Sequence, residues 1–228
     1  MMPTEVKISE TGVISPPREY ILKPKPFYDF VKRAFDLIVS SLVLILLSPV
    51  FLVVAVIIKL SDGGSVFYRP VRIGKNGEEF RMLKFRTMKM NADRLEDMLT
   101  PEQFAEYKVS FKIKNDPRIT PIGRFLRKTS IDELPQFLNV FLGQMSFIGP
   151  RPVLEEETYL YGENRSMLLS VKPGLTGYWQ AYGRDGVSYE NGERQEMELE
   201  YIRKRGFIMD IKIFFMSFVS VLSVKNAS

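Results

Sequence analysis

Residues 37–58, LIVSSLVLILLSPVFLVVAVII, form the one long apolar run of this chain and contain no charged residue. A straight helix of this length measures about 33 Å, and the hydrocarbon core of a bilayer is about 30 Å thick. The simplest interpretation is a single membrane span, whereas a buried core helix of this length without a charge is less expected. The run therefore predicts that the protein meets a lipid membrane.

A break in the middle of the run offers a second topology. Ser48 and Pro49 stand at its midpoint. Proline inside a helix removes a backbone hydrogen bond and clashes with the preceding turn, so the helix bends there. Serine hydroxyls can satisfy the backbone groups that the bend frees. The helix can therefore turn back within the membrane as a re-entrant hairpin, although proline is also common in true spans.

Positive charge on both flanks favours the hairpin, because positive residues prefer the cytoplasmic side of a membrane. A hairpin leaves both flanks on that side, whereas a straight span places one of them outside. The flanking cations are Lys23, Lys25, Lys32 and Arg33 before the run, and Lys59, Arg69, Arg72 and Lys75 after it. The stretch just before the run is amphipathic, and such a helix can lie in the headgroup layer before it dips inward.

Length and composition limit the remaining possibilities. The 228 residues suffice for one domain with a sizeable core. Lys and Arg outnumber Asp and Glu by 32 to 27, which fits an anionic partner without choosing among nucleic acid, acidic lipid and sugar nucleotide. The chain has no Cys and no His, so thiolate chemistry and His-ligated zinc are excluded. A general base must be a carboxylate, Lys, Tyr or the substrate itself.

The chain divides into three regions. Residues 1–26 are polar and proline-rich and are predicted to be a flexible arm, not a signal peptide. Residues 27–60 hold the membrane helix. Residues 61–228 are predicted to be α/β, mostly helical with small β elements. The predicted strands are 66–68 and 80–85 around a turn at 74–77. Residues 91–111 are predicted to be mostly helical, divided into two helices at Thr100 and Pro101. Further helices are predicted at 122–128, 134–142, 155–170 and 193–205, and 172–186 is predicted to be a loop rich in glycine and aromatics. Residues 213–224 are too short to span a bilayer and should lie on the membrane or pack on the protein.

A carboxylate pair, Asp132–Glu133, lies in residues 127–152, RKTSIDELPQFLNVFLGQMSFIGPRP. One interpretation is structural: Ser130 and Glu133 match a capping box, and acids suit the first turn of a helix. Against it, Pro135 would then remove a hydrogen bond early in that helix. The nearby cations Arg124, Arg127, Lys128 and Arg151 can keep the carboxylates ionised and bind phosphate as well.

Metal-assisted phosphate chemistry is the functional interpretation of this pair. An ionised carboxylate, with an unperturbed pKa of about 3.9, needs no base to act as a nucleophile at neutral pH. Its attack on a phosphoryl group would form an acyl phosphate. Mg²⁺ suits such a site because it takes oxygen ligands and bridges carboxylates to substrate phosphates. Arginines would neutralise the remaining charge with paired N–H donors.

Several cations are candidates for binding that phosphate. Arg151 stands between two prolines that fix its backbone, although an ordinary turn with a solvated Arg would look the same. Lys84 and Arg127 are weaker candidates, since most Lys and Arg side chains on a protein surface are simply solvated and bind no ligand. In residues 177–184, Arg184 is a further phosphate candidate, and a base could lie between an aromatic ring and a guanidinium.

Two further residues have competing interpretations. Trp179 is more simply explained as the core residue of a hairpin than as a base-binding ring. Asp210 lies in an apolar helix and is either an acid at the helix start or a site residue, and its position favours the former.

These segments together resemble the bacterial sugar transferases, the monotopic phosphoglycosyl transferases of surface-polysaccharide assembly. The resemblance covers approximately residues 30–224, with the motifs in the expected order. The specific block is DELPQ…GPRP within residues 129–152, and the others are residues 32–60, KFRTM at 84–88, 172–186 and MDIKIF at 209–214.

The resemblance implies a reaction and a location. Family members transfer a sugar phosphate from a UDP-sugar to a polyprenyl phosphate such as undecaprenyl phosphate and release UMP. They enter the bacterial inner membrane from its cytoplasmic face by a helix broken at Ser-Pro, matching Ser48-Pro49. The fold implied is a membrane-embedded α/β protein with a re-entrant helix and interfacial helices.

It also implies roles for particular residues. Asp132 matches the covalent nucleophile, and Glu133 matches the acid that assists with Mg²⁺ or protons, so both are implied metal ligands. Lys84, Arg127 and Arg151 match positions for substrate phosphate, and Asp210 matches another functional acid.

This chain departs from the family pattern in two places. Members of the large type carry four extra spans and a further domain before this core. In this sequence only the predicted arm precedes the core, so the resemblance implies the minimal type. The usual Gly-Trp-Ala-Gln loop is Gly177-Tyr178-Trp179-Gln180 here, which shifts the aromatic residue, so contacts to base or sugar are not carried over.

Two other hypotheses stay open. The same transfer could proceed directly, with the lipid phosphate attacking while Asp132 and Glu133 hold Mg²⁺. A non-catalytic membrane scaffold for polysaccharide enzymes is the alternative from another class. A nucleic-acid binder is least expected, because acids interrupt the cations. The sequence leaves open which sugar is used and whether the chain forms an oligomer.

Overall fold

The computed structural model describes residues 20–92, 94–100, 102–104, 113, 116–183 and 192–224. The chain forms two compact units. The first unit comprises Pro26–Arg72 and Glu79–Phe147, and the second unit comprises Met1–Lys25, Ile73–Glu78 and Ile148–Ser228. The described residues are mostly helical with small sheets, as the predicted α/β class requires.

The first unit begins with a helix broken at the predicted place. Helix α1 spans Pro26–Leu46 and helix α2 spans Ser48–Asp62, and the two are bent by 59°. Pro49 has no N–H to donate to the carbonyl of Ile45, four residues earlier. The Ser48 hydroxyl donates to that carbonyl instead, at 2.8 Å. The broken backbone bond is thus replaced by a side-chain bond, which confirms the predicted bend.

The length and hydropathy of these helices bear on the predicted topology. Within the described ranges, no single helix is both long enough and apolar enough to cross a bilayer, but α1 and α2 together meet both criteria. The re-entrant course of the pair therefore stays a prediction.

One face of α2 packs into the core of the first unit. Val54 and Ile58 of α2 are buried against Phe85 and Leu126, with Phe51 at the edge of the cluster. Full burial of such a side chain contributes about 1.5–3 kcal/mol relative to leaving it exposed. The opposite faces of α1 and α2 are apolar and exposed, at Ile38, Leu42, Ile45, Leu46, Leu52, Val53, Val56, Ile57 and Leu60. An exposed apolar surface of this extent marks a membrane or partner contact.

Short strands follow the helix pair. Strand β1 (Phe67–Tyr68) pairs antiparallel with β4 (Lys84–Phe85), so that Phe67 lies opposite Phe85. Strand β2 (Val71–Ile73) is the neighbour of β3 (Glu79–Arg81). The sequence predicted one continuous second strand at 80–85, and the structure divides it.

The side chain of Asn139 accounts for this division. Its Oδ1 accepts a hydrogen bond from the Leu83 amide at 2.9 Å, and its Nδ2 donates to the Arg81 carbonyl at 2.9 Å. An amide side chain therefore takes the place of a strand partner on both sides of the break.

Further helices lie in the described part of the first unit. They are α3 (Leu95–Met98), α4 (Pro121–Thr129) and α5 (Gln136–Phe141). The predicted helices at 122–128 and 134–142 are confirmed, the second with shorter bounds. Only part of the predicted helical stretch at 91–111 lies within the described residues. There α3 ends at Met98 and Leu99 is extended, which agrees with the predicted division of the stretch at Thr100 and Pro101.

Two charged residues of α1 hold the segment that follows α5. Arg33 donates to the carbonyls of Val140 and Phe141, both at 2.8 Å, and so caps the end of α5. Asp36 is buried, and its Oδ1 accepts from the Phe147 amide at 2.8 Å and from the Ser146 hydroxyl at 3.2 Å. Helix α1 is thereby hydrogen-bonded to the start of strand β5 (Ser146–Ile148).

The second unit contains β6 (Gly174–Thr176), which pairs with the Ile148 end of β5 through the Gly149 amide and the Thr176 carbonyl at 2.9 Å. Its helices are α6 (Glu155–Thr158), α7 (Arg165–Leu168), α8 (Tyr178–Tyr182), α9 (Glu193–Lys204) and α10 (Phe207–Val224). The prediction of one helix over 155–170 is wrong. A 3₁₀ segment, Tyr159–Asn164, separates α6 from α7, and Gly162 within it has a φ of 51° that a helix does not allow. The predicted loop at 172–186 contains β6 and α8 in its described part.

The N-terminal residues 20–25 are held on the second unit. The Tyr20 amide donates to the Ser166 hydroxyl at 3.1 Å, and the Lys25 amine donates to the Arg205 carbonyl at 2.6 Å. Arg205 in turn donates to the Lys23 carbonyl at 2.9 Å. This end of the predicted flexible arm is therefore fixed, and the prediction for residues 1–19 lies outside the described residues.

Replacing Asp36 tests the hydrogen bonds between α1 and β5. Asp36→Ala should lower the free energy of unfolding by about 2 kcal/mol, because a buried amide and a buried hydroxyl lose their acceptor. Asp36→Asn keeps an oxygen acceptor at the same place and should lose less than half as much. Thermal unfolding of the three proteins in one detergent makes the comparison, and equal losses in both variants would contradict it.

Candidate active site

The carboxylate pair lies on a tight turn between two helices of the first unit. A 3₁₀ turn, Ile131–Glu133, connects α4 to α5. Ser130 before it adopts a left-handed conformation (φ 57°, ψ 17°) as the C-cap of α4, and its side chain caps nothing. The capping-box interpretation is therefore wrong. Left-handed backbone costs a residue with a side chain about 1–2 kcal/mol, so the turn is held by its surroundings.

Lys84 and Arg127 both lie beside this turn. Lys84, on β4, donates to Glu133 Oε1 at 2.7 Å. Arg127 lies in the last turn of α4 and donates from Nε to the Thr87 hydroxyl at 2.9 Å. The positive charges of Lys84 and Arg127 both act on Asp132. The structure thus brings together Asp132, Glu133, Lys84 and Arg127, and a substrate phosphate would compete with Glu133 for Lys84.

The electrostatics of Asp132 differ from the expectation. Burial, as the larger cause, and the charge of Glu133 together raise the pKa of Asp132 to about 6, and the charges of Lys84 and Arg127 oppose this shift only in part. The sequence predicted that the nearby cations keep this carboxylate ionised, but it did not show that desolvation has the larger effect on its pKa. A carboxyl with this pKa is still mostly ionised at neutral pH, so it can act as a nucleophile there.

The pair also fits a divalent cation. No group of three or more acidic residues in the described ranges is arranged to hold a metal ion with protein ligands alone. Mg²⁺, however, is commonly held by one or two carboxylates together with substrate phosphates. Asp132 and Glu133 are adjacent, and their repulsion is part of what raises the pKa of Asp132. A divalent cation would relieve that repulsion, so the residues present suit the predicted Mg²⁺.

Arg151 belongs to the second unit, in the loop Gly149-Pro150-Arg151-Pro152. Because both prolines lack an N–H, Arg151 supplies the one backbone donor between Gly149 and Val153. That amide donates to Glu198 Oε1 at 3.2 Å. The loop is further fixed by the Gly174 amide, which donates to the Pro150 carbonyl at 2.8 Å. The prediction of a preset backbone at Arg151 is confirmed, and its role in binding phosphate stays a prediction.

Glu198 is the residue that sequence reasoning missed in this unit. The charged helix 193–205 was predicted as such, but α9 buries Arg194, Gln195 and Glu198 along with Leu199 and Ile202. Glu198 Oε2 has no hydrogen-bond partner among the described residues. Burial raises the pKa of Glu198 to about 7, against the opposing effects of the Arg151 amide and of Arg194 and Arg151. The helical spacing of Glu198 with buried apolar residues was the signal in the sequence.

Trp179 lies on α8 and not in a hairpin, so that part of its interpretation is wrong. The guanidinium of Arg194 lies 4.0 Å from the centre of its ring, and that of Arg151 lies 5.9 Å away. The Trp179 ring thus makes cation–π contacts with two arginines of the protein itself.

The remaining candidates have different outcomes. Asp210 lies in the first turn of α10, as its interpretation as a helix-start acid requires, and its Oδ1 accepts from the Tyr201 hydroxyl at 3.0 Å. A functional role for Asp210 stays a prediction. Arg184 lies outside the described residues.

Glu198 makes stability depend on pH. Its pKa is about 7 in the folded protein and 4.5 ordinarily, so the folded state binds the proton more tightly. The contribution of Glu198 to the free energy of unfolding is therefore greatest at low pH and falls by roughly 3 kcal/mol as the pH rises from the unfolded pKa through the folded one. Glu198→Gln keeps an acceptor for Arg151 and should remove this part of the dependence. Denaturant unfolding at about pH 5 and about pH 8 measures it, and the same slope in both proteins would refute the assignment.

A carboxylate beside two cations on a rigid turn defines an enzyme site suited to phosphoryl transfer. Comparison with known proteins identifies the family. A sequence model described as bacterial sugar transferase matches residues 27–224. The exopolysaccharide production protein ExoY of Rhizobium meliloti (strain 1021) is 44% identical over 200 residues, which cover 86% of this chain and 88% of ExoY.

Two named transferases are also similar. The undecaprenyl-phosphate galactose phosphotransferase of Salmonella typhimurium is 42% identical over 197 residues, which cover 85% of this chain and 40% of that protein. The UDP-glucose:undecaprenyl-phosphate glucose-1-phosphate transferase of Escherichia coli (strain K12) is 40% identical over 207 residues, which cover 84% of this chain and 42% of that protein. This chain thus spans about two fifths of these two relatives.

The chain belongs to the bacterial sugar transferase family. The resemblance predicted from the motifs is thereby confirmed, and so is the prediction that the protein is an enzyme of the phosphoglycosyl transferase class.

Proposed function

We propose that this protein transfers a sugar 1-phosphate from a UDP-sugar to a polyprenyl phosphate, with undecaprenyl phosphate as the expected lipid, and releases UMP as the first membrane step of surface-glycan assembly. The names of the two transferases support these substrates. The observation that carries the proposal is the position of Asp132, half-buried on a rigid turn within the influence of Lys84 and Arg127.

The first half-reaction is a phosphoryl transfer to the protein. An Asp132 carboxylate oxygen attacks the β-phosphorus of the UDP-sugar, and the bond from that phosphorus to the bridging oxygen breaks. UMP leaves with the electron pair, and the sugar phosphate remains on Asp132 as an acyl phosphate. Lys84 and Arg127 offset the negative charge that accumulates around the phosphorus.

The second half-reaction regenerates the carboxylate. An oxygen of the lipid phosphate attacks the phosphorus of the enzyme-bound sugar phosphate. The acyl phosphate bond breaks, Asp132 leaves as a carboxylate, and the product is a polyprenyl diphosphate sugar. A lipid phosphate is already ionised at neutral pH, so this step needs no histidine.

Glu133 and Asp132 are the residues that would hold Mg²⁺. The ion supplies neutralisation of the diphosphate charge when it is bound. Lys84 pairs with Glu133 and keeps a positive charge next to this carboxylate pair. Arg151 and Asp210 remain predicted contributors through the family resemblance, and Arg184 remains a phosphate candidate from its place in the sequence.

The exposed apolar faces of α1 and α2 support the proposal that the protein associates with a membrane. We place both ends of this bent pair at the cytoplasmic face of the bacterial inner membrane, because both flanks are cationic. The anchor then brings the cluster of α2 with Phe85 and Leu126 to the interface. Phe85 is next to Lys84 in the chain and Leu126 is next to Arg127, so this arrangement also brings the two cations to the interface. A lipid headgroup from the membrane and a soluble nucleotide from the cytoplasm can then both reach Asp132.

Replacing the nucleophile tests the proposal. Asp132→Asn has no ionised oxygen and should lose UMP release from a panel of UDP-sugars by at least about a thousandfold, together with the protein-bound radiolabelled sugar phosphate. Asp29→Asn, an exposed aspartate of α1, is the matched control and should keep wild-type activity. Wild-type turnover in the Asp132→Asn protein would overturn the mechanism.

The same assay separates the alternatives. A covalent route gives ping-pong kinetics, whereas direct attack by the lipid phosphate requires both substrates bound together. A scaffold releases no UMP under any condition. Chelation of divalent cations should stop UMP release, and added Mg²⁺ should restore it.

A further inference from the structure

Thr87 is held unusually tightly between the end of β4 and the start of α4. Its carbonyl accepts from the Thr120 amide at 3.0 Å and from the Thr120 hydroxyl at 3.3 Å. Thr120 in turn caps α4 by accepting from the Gly123 amide at 2.9 Å. The backbone of Thr87 is therefore fixed against the helix that carries Arg127.

Gly123 shows how close this approach is. A Cβ at Gly123 would lie 2.0 Å from the Thr87 carbonyl oxygen, so no larger residue fits without moving the backbone. Close contact of this kind leaves Thr87 little freedom, and a buried threonine has a stiff χ1. Thr87 is itself buried, at 7% exposure. Its hydroxyl therefore points in a defined direction.

That hydroxyl contacts Arg127. The Arg127 Nε donates to Thr87 Oγ1 at 2.9 Å. A guanidinium is planar, so a bond to Nε fixes the plane and leaves the terminal nitrogens for other partners. Among the described residues, no hydrogen bond engages those terminal nitrogens. Paired terminal N–H groups match two oxygens of a phosphate.

We propose that Thr87 is a positioning residue for the sugar nucleotide: its hydroxyl fixes the Arg127 guanidinium so that both terminal nitrogens are presented to a phosphate of the UDP-sugar. This inference rests on the proposed function and assigns a role to a residue that makes no contact with the substrate itself. The free rotation of an unfixed arginine would otherwise have to be lost when the substrate binds.

The matched variants are Thr87→Val, which keeps the shape and removes the hydroxyl, and Thr87→Ser, which keeps the hydroxyl. Thr87→Val should raise KM for the UDP-sugar about tenfold with a change in kcat of less than about threefold, because the charge of Arg127 stays at the site and only its fixed orientation for binding the phosphate is lost. Thr87→Ser should restore the wild-type KM. A merely structural role would lower the active fraction, and so kcat, without raising this KM.

A double-mutant cycle tests whether the effect passes through Arg127. In the Arg127→Gln background, Thr87→Val should change KM by less than about twofold, because the guanidinium is already gone. An undiminished tenfold effect in that background, or equal KM values for Thr87→Val and wild type, would overturn the inference.

A binding measurement separates this inference from the proposed function. UDP alone is titrated into each protein, and the shift in melting temperature gives its affinity. Thr87→Val should bind UDP about tenfold more weakly than both wild type and Thr87→Ser. If wild type binds UDP but releases no UMP from any UDP-sugar, the proposed function fails while this comparison still decides the inference. If Thr87→Val does not fold, Thr87→Ala takes its place, and unchanged UDP binding by that variant would refute the role.

Discussion

One missing backbone hydrogen bond determines the course of the anchor. Pro49 has no N–H for the Ile45 carbonyl, the Ser48 hydroxyl takes that carbonyl, and the helix bends by 59° at this point. Because of the bend, α2 lays one face on Phe85 and Leu126. These residues are the chain neighbours of Lys84 and Arg127, so the helix that is proposed to enter the membrane packs against the segments that carry these two cations.

Burial and charge oppose each other at the carboxylate pair. Desolvation and the charge of Glu133 raise the pKa of Asp132 to about 6, and the two cations recover only part of that shift. The result suits a nucleophile, because the carboxylate is ionised at neutral pH yet less strongly solvated than one in water. Around Asp132, Lys84 on β4 donates a hydrogen bond to Glu133, and Arg127 on α4 donates one to Thr87. The site is therefore organised by β4, the residues that follow it, α4 and the turn that carries the carboxylate pair.

Local chemistry was predictable from the sequence, and long-range hydrogen bonding was not. The break at Pro49 and the helix carrying Arg127 follow from proline chemistry and from helical periodicity, and the motifs identified Asp132, Glu133 and Lys84. The capping box failed because the left-handed Ser130 ends α4 instead of starting a helix. The strand at 80–85 failed because Asn139, distant in sequence, takes its hydrogen bonds at the break. The hydrogen bond from the Phe147 amide to Asp36 likewise joins residues that are far apart in the sequence.

We propose that both ends of the bent helix pair lie on the cytoplasmic side, where an aqueous nucleotide and a lipid phosphate can meet Asp132. The chain has no cysteine, so single cysteines can be introduced without background. Phe27→Cys and Ser65→Cys place them at exposed positions just inside the start of α1 and just after α2. The most direct measurement is labelling by a membrane-impermeant maleimide in intact spheroplasts and in inverted vesicles. Both cysteines should react only in inverted vesicles, and reaction of one of them in spheroplasts would contradict the account.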